Sequence, residues 1–311
     1  MRAVGCWTYG GPDVLEVVEL PDPEPAAGQV RIRVAASTVN PADSLLRQGG
    51  LAAHMPETER PFVAGLELAG VVDAAGPGAT LAVGTRVAAM TKFIGTGRGG
   101  HAELAVVDER SAVPLPDGFD LVRAATLPMN GLTARMALDA LGLDPGAWLG
   151  VTGAAGAVGA LVVRLAVLEG LRVAAVAGPG DEGRVRELGA EIFVPRGEDA
   201  FTRLRELVPD GLDGLVDTAV VGEPVLPAVR DGGTVIALRG FAGELERGID
   251  ARLISVREYL SETAKLAELV RLAAEGELEL PVAQTYPPEQ AGEAHARVDG
   301  GGLRGRVVIV F

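Results

Sequence analysis

Residues 147–159 read Ala-Trp-Leu-Gly-Val-Thr-Gly-Ala-Ala-Gly-Ala-Val-Gly. A short apolar run breaks into three evenly spaced glycines, Gly153, Gly156 and Gly159, and a helical stretch over residues 160–169 follows at once. Strand, glycine turn and helix start, in that order, make a resting place for a pyrophosphate. Glycine lets the chain turn tightly and approach an anion closely, and the helix start offers unpaired N–H groups and the positive end of its dipole. The spacing is G-x-x-G-x-x-G rather than the commoner G-x-G-x-x-G, and such a turn also serves as a plain strand–helix corner. As a dinucleotide site, its contacts are Gly153, Ala155, Gly156, Ala157 and Val158.

The downstream pattern favours the dinucleotide reading. A second apolar run, 171–177, ends at Gly178-Pro179-Gly180. A helix-like segment over 182–188, a short strand at 192–194, and strand candidates at 215–217 and 234–238 come next. Strands alternating with helices indicate β-α-β units and a doubly wound parallel sheet. The runs are nearly continuous in apolar residues, as strands covered on both faces are. The expected fold is therefore α/β, with a Rossmann-type domain over residues 122–256. Gly178 and Leu238, at the ends of two of its strands, join the cofactor contacts.

A chain of 311 residues exceeds one typical domain, and 48% hydrophobic content supplies two cores. The net charge of -14 argues against a nucleic-acid partner, though not against a local basic pocket for a phosphate. Lysine is confined to Lys92 and Lys265, so arginine supplies most cationic contacts. The single Cys6 permits neither an internal disulfide nor a cysteine zinc cluster. No apolar stretch approaches a membrane span, and Arg2 leads into strand-like sequence rather than a signal peptide, so the cytoplasm is the expected compartment.

The first 120 residues have another texture. Short strand candidates at 14–20, 29–39, 70–75 and 85–89 are punctuated by Pro21, Pro23, Pro25, Gly28, Pro41 and Gly76-Pro77-Gly78. This predicts a turn-rich, barrel-like β domain. Residues 305–311 form one more strand, expected to return to that first domain.

Several motifs together carry a resemblance that runs nearly end to end. They are Tyr9-Gly10-Gly11-Pro12-Asp13-Val14-Leu15, Val39-Asn40-Pro41-Ala42-Asp43, Pro61-Phe62-Val63-Ala64-Gly65-Leu66-Glu67-Leu68-Ala69-Gly70 and Gly99-Gly100-His101-Ala102-Glu103. Asn130-Gly131-Leu132-Thr133-Ala134, the glycine turn, Glu293-Ala294-His295 and Leu303-Arg304-Gly305-Arg306-Val307-Val308 complete the set. The chain resembles the zinc-independent quinone oxidoreductase (zeta-crystallin-like) branch of the medium-chain dehydrogenase/reductase superfamily. The resemblance implies a GroES-like domain, here 1–121 with 257–311, an inserted Rossmann domain, and a cleft between them. It also implies a homodimer, paired through a sheet edge near residues 251–256.

Zinc alcohol dehydrogenases carry a cysteine where this chain has Asn40 and a histidine where it has Leu66. Neither Asn nor Leu is a usual zinc ligand, so no metal is expected. His101 and His295 are read as surface or hydrogen-bonding residues. Without zinc, hydrogen bonds must polarise the substrate, which suits a quinone or an α,β-unsaturated carbonyl better than a plain ketone. The resemblance puts Asn40 and Thr133 beside the nicotinamide as the catalytic candidates. Asn40-Pro41 also reads as a turn start, and Thr133 as a cap on a helix starting near Ala134. Asp43 and Glu67 are read as structural, bound to backbone or to Arg47. No proton donor is evident, Tyr259 being a distant candidate, so solvent is expected to supply the proton. Arg135, Arg239 and Val220-Val221-Gly222 depart from the family pattern, and either arginine is a candidate selector of an anionic or oxygen-rich substrate, or else a surface charge.

An NAD site places a carboxylate about 20 residues past the glycine turn. Gly178 stands there instead, with Arg184 in the next helix and Arg196 after the third strand. The expectation is NADP(H), held at its 2′-phosphate by Arg184 and Arg196, with Asp181 and Glu182 as evidence for NADH. The expected function is NADPH-dependent reduction of a quinone or enone. A specialised enoyl-thioester reductase and a dinucleotide-binding protein with little catalysis remain open.

Overall fold

The computed structural model describes residues 1–56, 60–241 and 245–311. Contacts divide the chain into one unit of Met1–Met129 with Leu260–Phe311 and a second of Asn130–Tyr259.

The first unit opens with eight strands: β1 (Arg2–Cys6), β2 (Glu16–Glu19), β3 (Gln29–Thr38), β4 (Phe62–Val63), β5 (Glu67–Ala75), β6 (Arg86–Met90), β7 (Leu104–Asp108) and β8 (Ala112–Pro114). Helices α1 (Pro41–Arg47) and α2 (Leu121–Ala124) complete this stretch. The sequence placed a strand at 14–20, but Pro12–Val14 is a 3-10 turn and the strand begins at Glu16. Proline's fixed φ suits the first position of such a turn. In β3, Val30, Ile32 and Val34 alternate inward and pack with Leu68, Val72, Val87 and Val107. Arg31 between them faces out and pairs with Asp73 at 2.9 Å.

The second unit takes up α3 (Pro128–Leu141), β9 (Trp148–Thr152), α4 (Ala157–Leu168), β10 (Arg172–Ala177), α5 (Glu182–Glu187) and β11 (Ile192–Pro195). It continues with α6 (Ala200–Leu207), β12 (Leu212–Asp217), β13 (Val229–Ala237) and β14 (Asp250–Leu253). All pairings are parallel, in the order β11-β10-β9-β12-β13-β14. Chain order reverses between β9 and β12, the place where open α/β sheets bind ligands. Val194, Phe201, Leu204, Leu212, Leu215, Val229 and Val235 form one of its cores.

The chain then returns to the first unit as α7 (Thr263–Ala274), β15 (Val282–Tyr286), α8 (Ala291–Asp299) and β16 (Arg306–Val310). The strand expected at 305–311 is thus β16, antiparallel to β3 with Val308 opposite Thr38. The larger sheet runs β15-β16-β3-β5-β6-β8, and β7 pairs with the first half of β3. The unit boundaries fall at 129/130 and 259/260, not at 121/122 and 256/257. Residues 121–129 stay with the first unit because α2 packs on β3 and β5, and Thr38 Oγ1 donates to Ala125 O at 3.4 Å. Among the described residues, no helix is long and apolar enough to cross a membrane.

Candidate functional site

In the second unit the glycine turn stands at the carboxyl end of β9, on the switch point. Its three glycines have different duties. Gly153 has φ +58, and a Cβ there would lie 2.9 Å from Thr218 Oγ1. A Cβ on Gly159 would come within 2.3 Å of Gly153 O, so this position must be bare for α4 to meet the turn. Gly156 is the N-cap of α4, where a Cβ would meet only Gly153 O, at 3.0 Å. A glycine cap brings no side chain to the first-turn N–H groups, which leaves them to an incoming anion. Ala157 and Val158 are half-exposed, whereas the Ala155 side chain is buried, so Ala155 offers only backbone.

The turn is braced from β12. Thr152 Oγ1 donates to Asp217 Oδ1 at 2.6 Å and accepts from the Ala219 N–H at 3.0 Å. Thr218 Oγ1 donates to Thr152 O at 2.5 Å. The loop beyond holds Val220 at φ 56 and Gly222 at φ 77. Leu238 lies half-buried just past β13. Thr133 is not a cap: it sits inside α3, half-buried, because the helix starts at Pro128 rather than near Ala134.

At the end of β10 the two carboxylates that argued for NADH are engaged. Asp181 Oδ2 accepts from the Gly178 N–H at 3.0 Å, and Glu182 pairs with Arg186 at 2.9 Å. Arg184 is half-buried, and its Nε has no partner among the described residues. Arg196 is exposed, and its backbone N–H donates to Ala177 O at 2.7 Å.

In the first unit a buried polar cluster gathers where β3, α1, β5 and β16 meet. Asn40 caps α1 and is fully buried. Its Oδ1 accepts from Arg306 Nη2 at 2.5 Å, and its Nδ2 lies 3.2 Å from Glu67 Oε1. Glu67, also fully buried, accepts from Arg306 Nη2 at 2.8 Å, from Thr38 Oγ1, and from the Met129 N–H at 2.8 Å. The last contact places a carboxylate at the start of α3, where the helix dipole favours it. Asp43 accepts from the N–H groups of Asn40 at 2.7 Å and Gly65 at 2.8 Å. Burial pushes its carboxyl up to about 7, against the pull of those two N–H groups and of Arg306. Gly65 has φ +103, and a Cβ on it would strike the His101 ring at 2.6 Å.

Asp43 and Glu67 therefore both bind backbone, as the sequence suggested, but neither binds Arg47. That arginine donates to Gly10 O at 3.0 Å and pairs with Asp299 at 2.5 Å. His101 and His295 are not surface residues; both are fully buried. His101 Nδ1 lies 2.9 Å from Ser37 Oγ, while neither nitrogen of His295 has a partner among the described residues. Arg135 is committed to Asp139 and Glu169, which removes it as a substrate selector. Tyr259 donates to Asp139 at 3.0 Å, while Arg239 is exposed beyond β13. Arg306 was missed as a site residue. Its signal was a charged side chain leading into an otherwise apolar strand.

Leu66 is packed in an apolar cluster with Cys6, Leu46, Phe62 and Phe93. Among the described residues, no three His, Cys, Asp or Glu side chains come together as metal ligands. The residues at this site do not fit zinc, since an amide, Asn40, and a hydrocarbon side chain, Leu66, stand where thiolate and imidazole would be needed. The glycine turn does fit a dinucleotide, because its bare N-cap, Gly156, leaves the first-turn N–H groups of α4 open to a pyrophosphate.

Two family models match the chain: the alcohol dehydrogenase GroES-like domain over residues 26–117 and the zinc-binding dehydrogenase over residues 188–309. Human quinone oxidoreductase is 29% identical, covering 100% of this chain and 98% of the relative. A 2-methylene-furan-3-one reductase of Solanum lycopersicum is 32% identical, covering 77% of this chain and 62% of the relative. A solved NAD-dependent alcohol dehydrogenase is 30% identical with a TM-score of 0.85, covering 100% of both chains. A mycobacterial protein solved in complex with NADPH is 26% identical with a TM-score of 0.85, again covering 100% of both. With its GroES-like unit and Rossmann-like parallel sheet, this chain belongs to the medium-chain dehydrogenase/reductase superfamily of oxidoreductases, in the quinone-oxidoreductase-like branch.

Proposed function

We propose that this protein reduces quinones or α,β-unsaturated carbonyl compounds with NADPH and without zinc. The observation that carries the reading is the cluster of Asn40, Glu67 and Arg306, with Leu66 packed in apolar surroundings beside it. It offers a hydrogen-bonding amide where a zinc enzyme needs ligands. The likeness to a quinone oxidoreductase and to a furanone reductase supports the same acceptor chemistry.

The pyrophosphate rests on the first-turn N–H groups of α4 and the backbone of residues 153–158. Arg184, with a spare buried donor, and Arg196 pair with the 2′-phosphate. The likeness to a protein solved with NADPH agrees with this choice. Gly178 and Leu238 line the cofactor at the ends of β10 and β13. A bound reduced nicotinamide supplies the hydride. Asn40 donates to the carbonyl oxygen on which charge develops, and Thr133 provides a second polar contact. Water supplies the proton. Two copies pair along the open edge of β14, where Leu253 is exposed. A reducing cytoplasm suits a chain whose one cysteine, Cys6, is buried.

The test is NADPH oxidation against simple quinones, enones and enoyl thioesters. Turnover of simple quinones or enones is the expected result. Turnover of thioesters alone, or silence despite tight NADPH binding, contradicts it.

A further inference from the structure

Arg306 Nη2 lies 2.5 Å from Asn40 Oδ1 and 2.8 Å from Glu67 Oε1. A guanidinium only donates, so the atom of Asn40 facing it is the carbonyl oxygen, and the network decides which way the amide points. Asn40 Nδ2 then turns toward Glu67 Oε1 at 3.2 Å and Thr38 O and Oγ1 at 3.4 and 3.5 Å. Only the Glu67 contact lies within the ordinary N–H···O range; both Thr38 contacts are longer. Glu67 is itself fixed: Oε1 accepts from Thr38 Oγ1 and Arg306, and Oε2 accepts from the Met129 N–H. The oxygen of Asn40 is thus committed, and its amide nitrogen has one acceptor at ordinary distance for two hydrogens.

We propose that Arg306 and Glu67 are positioning residues that set Asn40 as a hydrogen-bond donor toward the carbonyl oxygen of the acceptor. This rests on the reductase reading above. In an enone the β carbon takes up hydride from the reduced nicotinamide, which is oxidised. The displaced π pair moves onto the carbonyl oxygen, and a proton from water completes the product at the α carbon. A donor at that oxygen stabilises the charge as it forms, whereas an acceptor there repels it. Rotating the amide by half a turn would exchange the two, and the paired charges of Arg306 and Glu67 prevent it.

Asn40→Asp keeps the shape and an acceptor for Arg306 but removes the donor while the carboxyl is ionised. At pH 8 turnover of an enone falls about 100-fold, the scale of losing one oxyanion donor. NADPH affinity by fluorescence titration stays within about twofold. Acidification toward pH 5 restores part of the rate, because a protonated carboxyl donates again; wild type shows no such recovery. Arg306→Lys, still donor-only, retains most of the activity. Arg306→Gln, which accepts as readily as it donates, loses about tenfold or more in kcat. Should the lone buried Glu67 prevent that variant from folding, Glu67→Gln with Arg306→Gln removes both charges and takes its place. A saturated ketone bound as a probe gives a readout independent of turnover. Its infrared carbonyl stretch is lower in wild type and Arg306→Lys than in Asn40→Asp. The proposal is overturned by full turnover of Asn40→Asp at pH 8, by equal activity of the Gln and Lys variants, or by an unshifted carbonyl stretch. A wild type inactive on every acceptor overturns the reductase reading instead, and the infrared comparison then still decides the role of Asn40.

Discussion

The rings of His101 and His295 meet edge to face, 5.7 Å between centroids, with neither ring exposed. Both are held neutral. Burial, with a smaller push from Arg47, drives His295 down to about 3; burial, then His295, drives His101 well below the ordinary range. Arg47 on α1, whose charge acts on His295, is itself paired with Asp299 on α8.

Acid should therefore weaken the fold. An unfolded histidine takes its proton near pH 6.5, whereas the folded protein resists until about 3 for His295. The unfolded state binds more protons in between, so stability drops by up to about 1.4 kcal/mol per pH unit for each such group as pH falls below 6.5. Asp43 acts in the opposite sense. Its folded carboxyl holds a proton up to about 7 against an ordinary value of 3.8, so it costs stability as pH rises through that window. Two histidines against one carboxyl leave a net loss on the acid side. Urea midpoints at pH 5 and pH 7 should show it, and His295→Leu should flatten the slope. An unchanged slope in that variant contradicts the assignment.

Asp43→Asn tests the other buried carboxyl. Asparagine has one acceptor oxygen for two N–H groups, those of Asn40 and Gly65. One buried donor is left unpaired, at a cost of about 1–3 kcal/mol. A melting temperature equal to wild type would show that the pair of bonds does not matter to the fold.

The glycine turn separates folding from binding. Gly159→Ala drives a Cβ to 2.3 Å from Gly153 O and should lower the melting temperature. Gly156→Val meets only Gly153 O, at 3.0 Å, so the protein should fold while NADPH affinity falls at least about tenfold, or 1.4 kcal/mol. Unchanged affinity in this variant removes the cofactor site from the turn.

The proposed preference for NADPH rests on Arg184 and Arg196. The ratio of kcat/KM with NADPH to that with NADH should exceed one in wild type and fall in Arg184→Ala and Arg196→Ala. A preference for NADH, or two variants with the wild-type ratio, counts against the 2′-phosphate reading.

The parallel sheet was legible because its strands are apolar runs closed by glycines, as at Gly153 and Gly178. The return of β16 was legible from its strand pattern alone. The polar cluster was only half legible. Asn40, Asp43 and Glu67 could be named, but Arg306, the partner of Asn40 and Glu67, stands 266 positions beyond Asn40. Only the pairing of β16 with β3 brings them together. His295, expected to be a surface or hydrogen-bonding residue, lies on α8; its burial beside His101 depends on packing that no local pattern encodes. The start of α3 was placed too late because Asn130, Gly131 and Thr133 are weak helix formers. Glu67, at the Met129 N–H, braces the helix start from a distant strand.

The claim that this oxidoreductase works without zinc is tested most directly by assaying chelator-treated protein whose zinc content has been measured. NADPH oxidation with a quinone or enone should proceed at the untreated rate, with zinc well below one atom per chain. Stoichiometric zinc, or activity lost on chelation and restored by added zinc, would contradict the account.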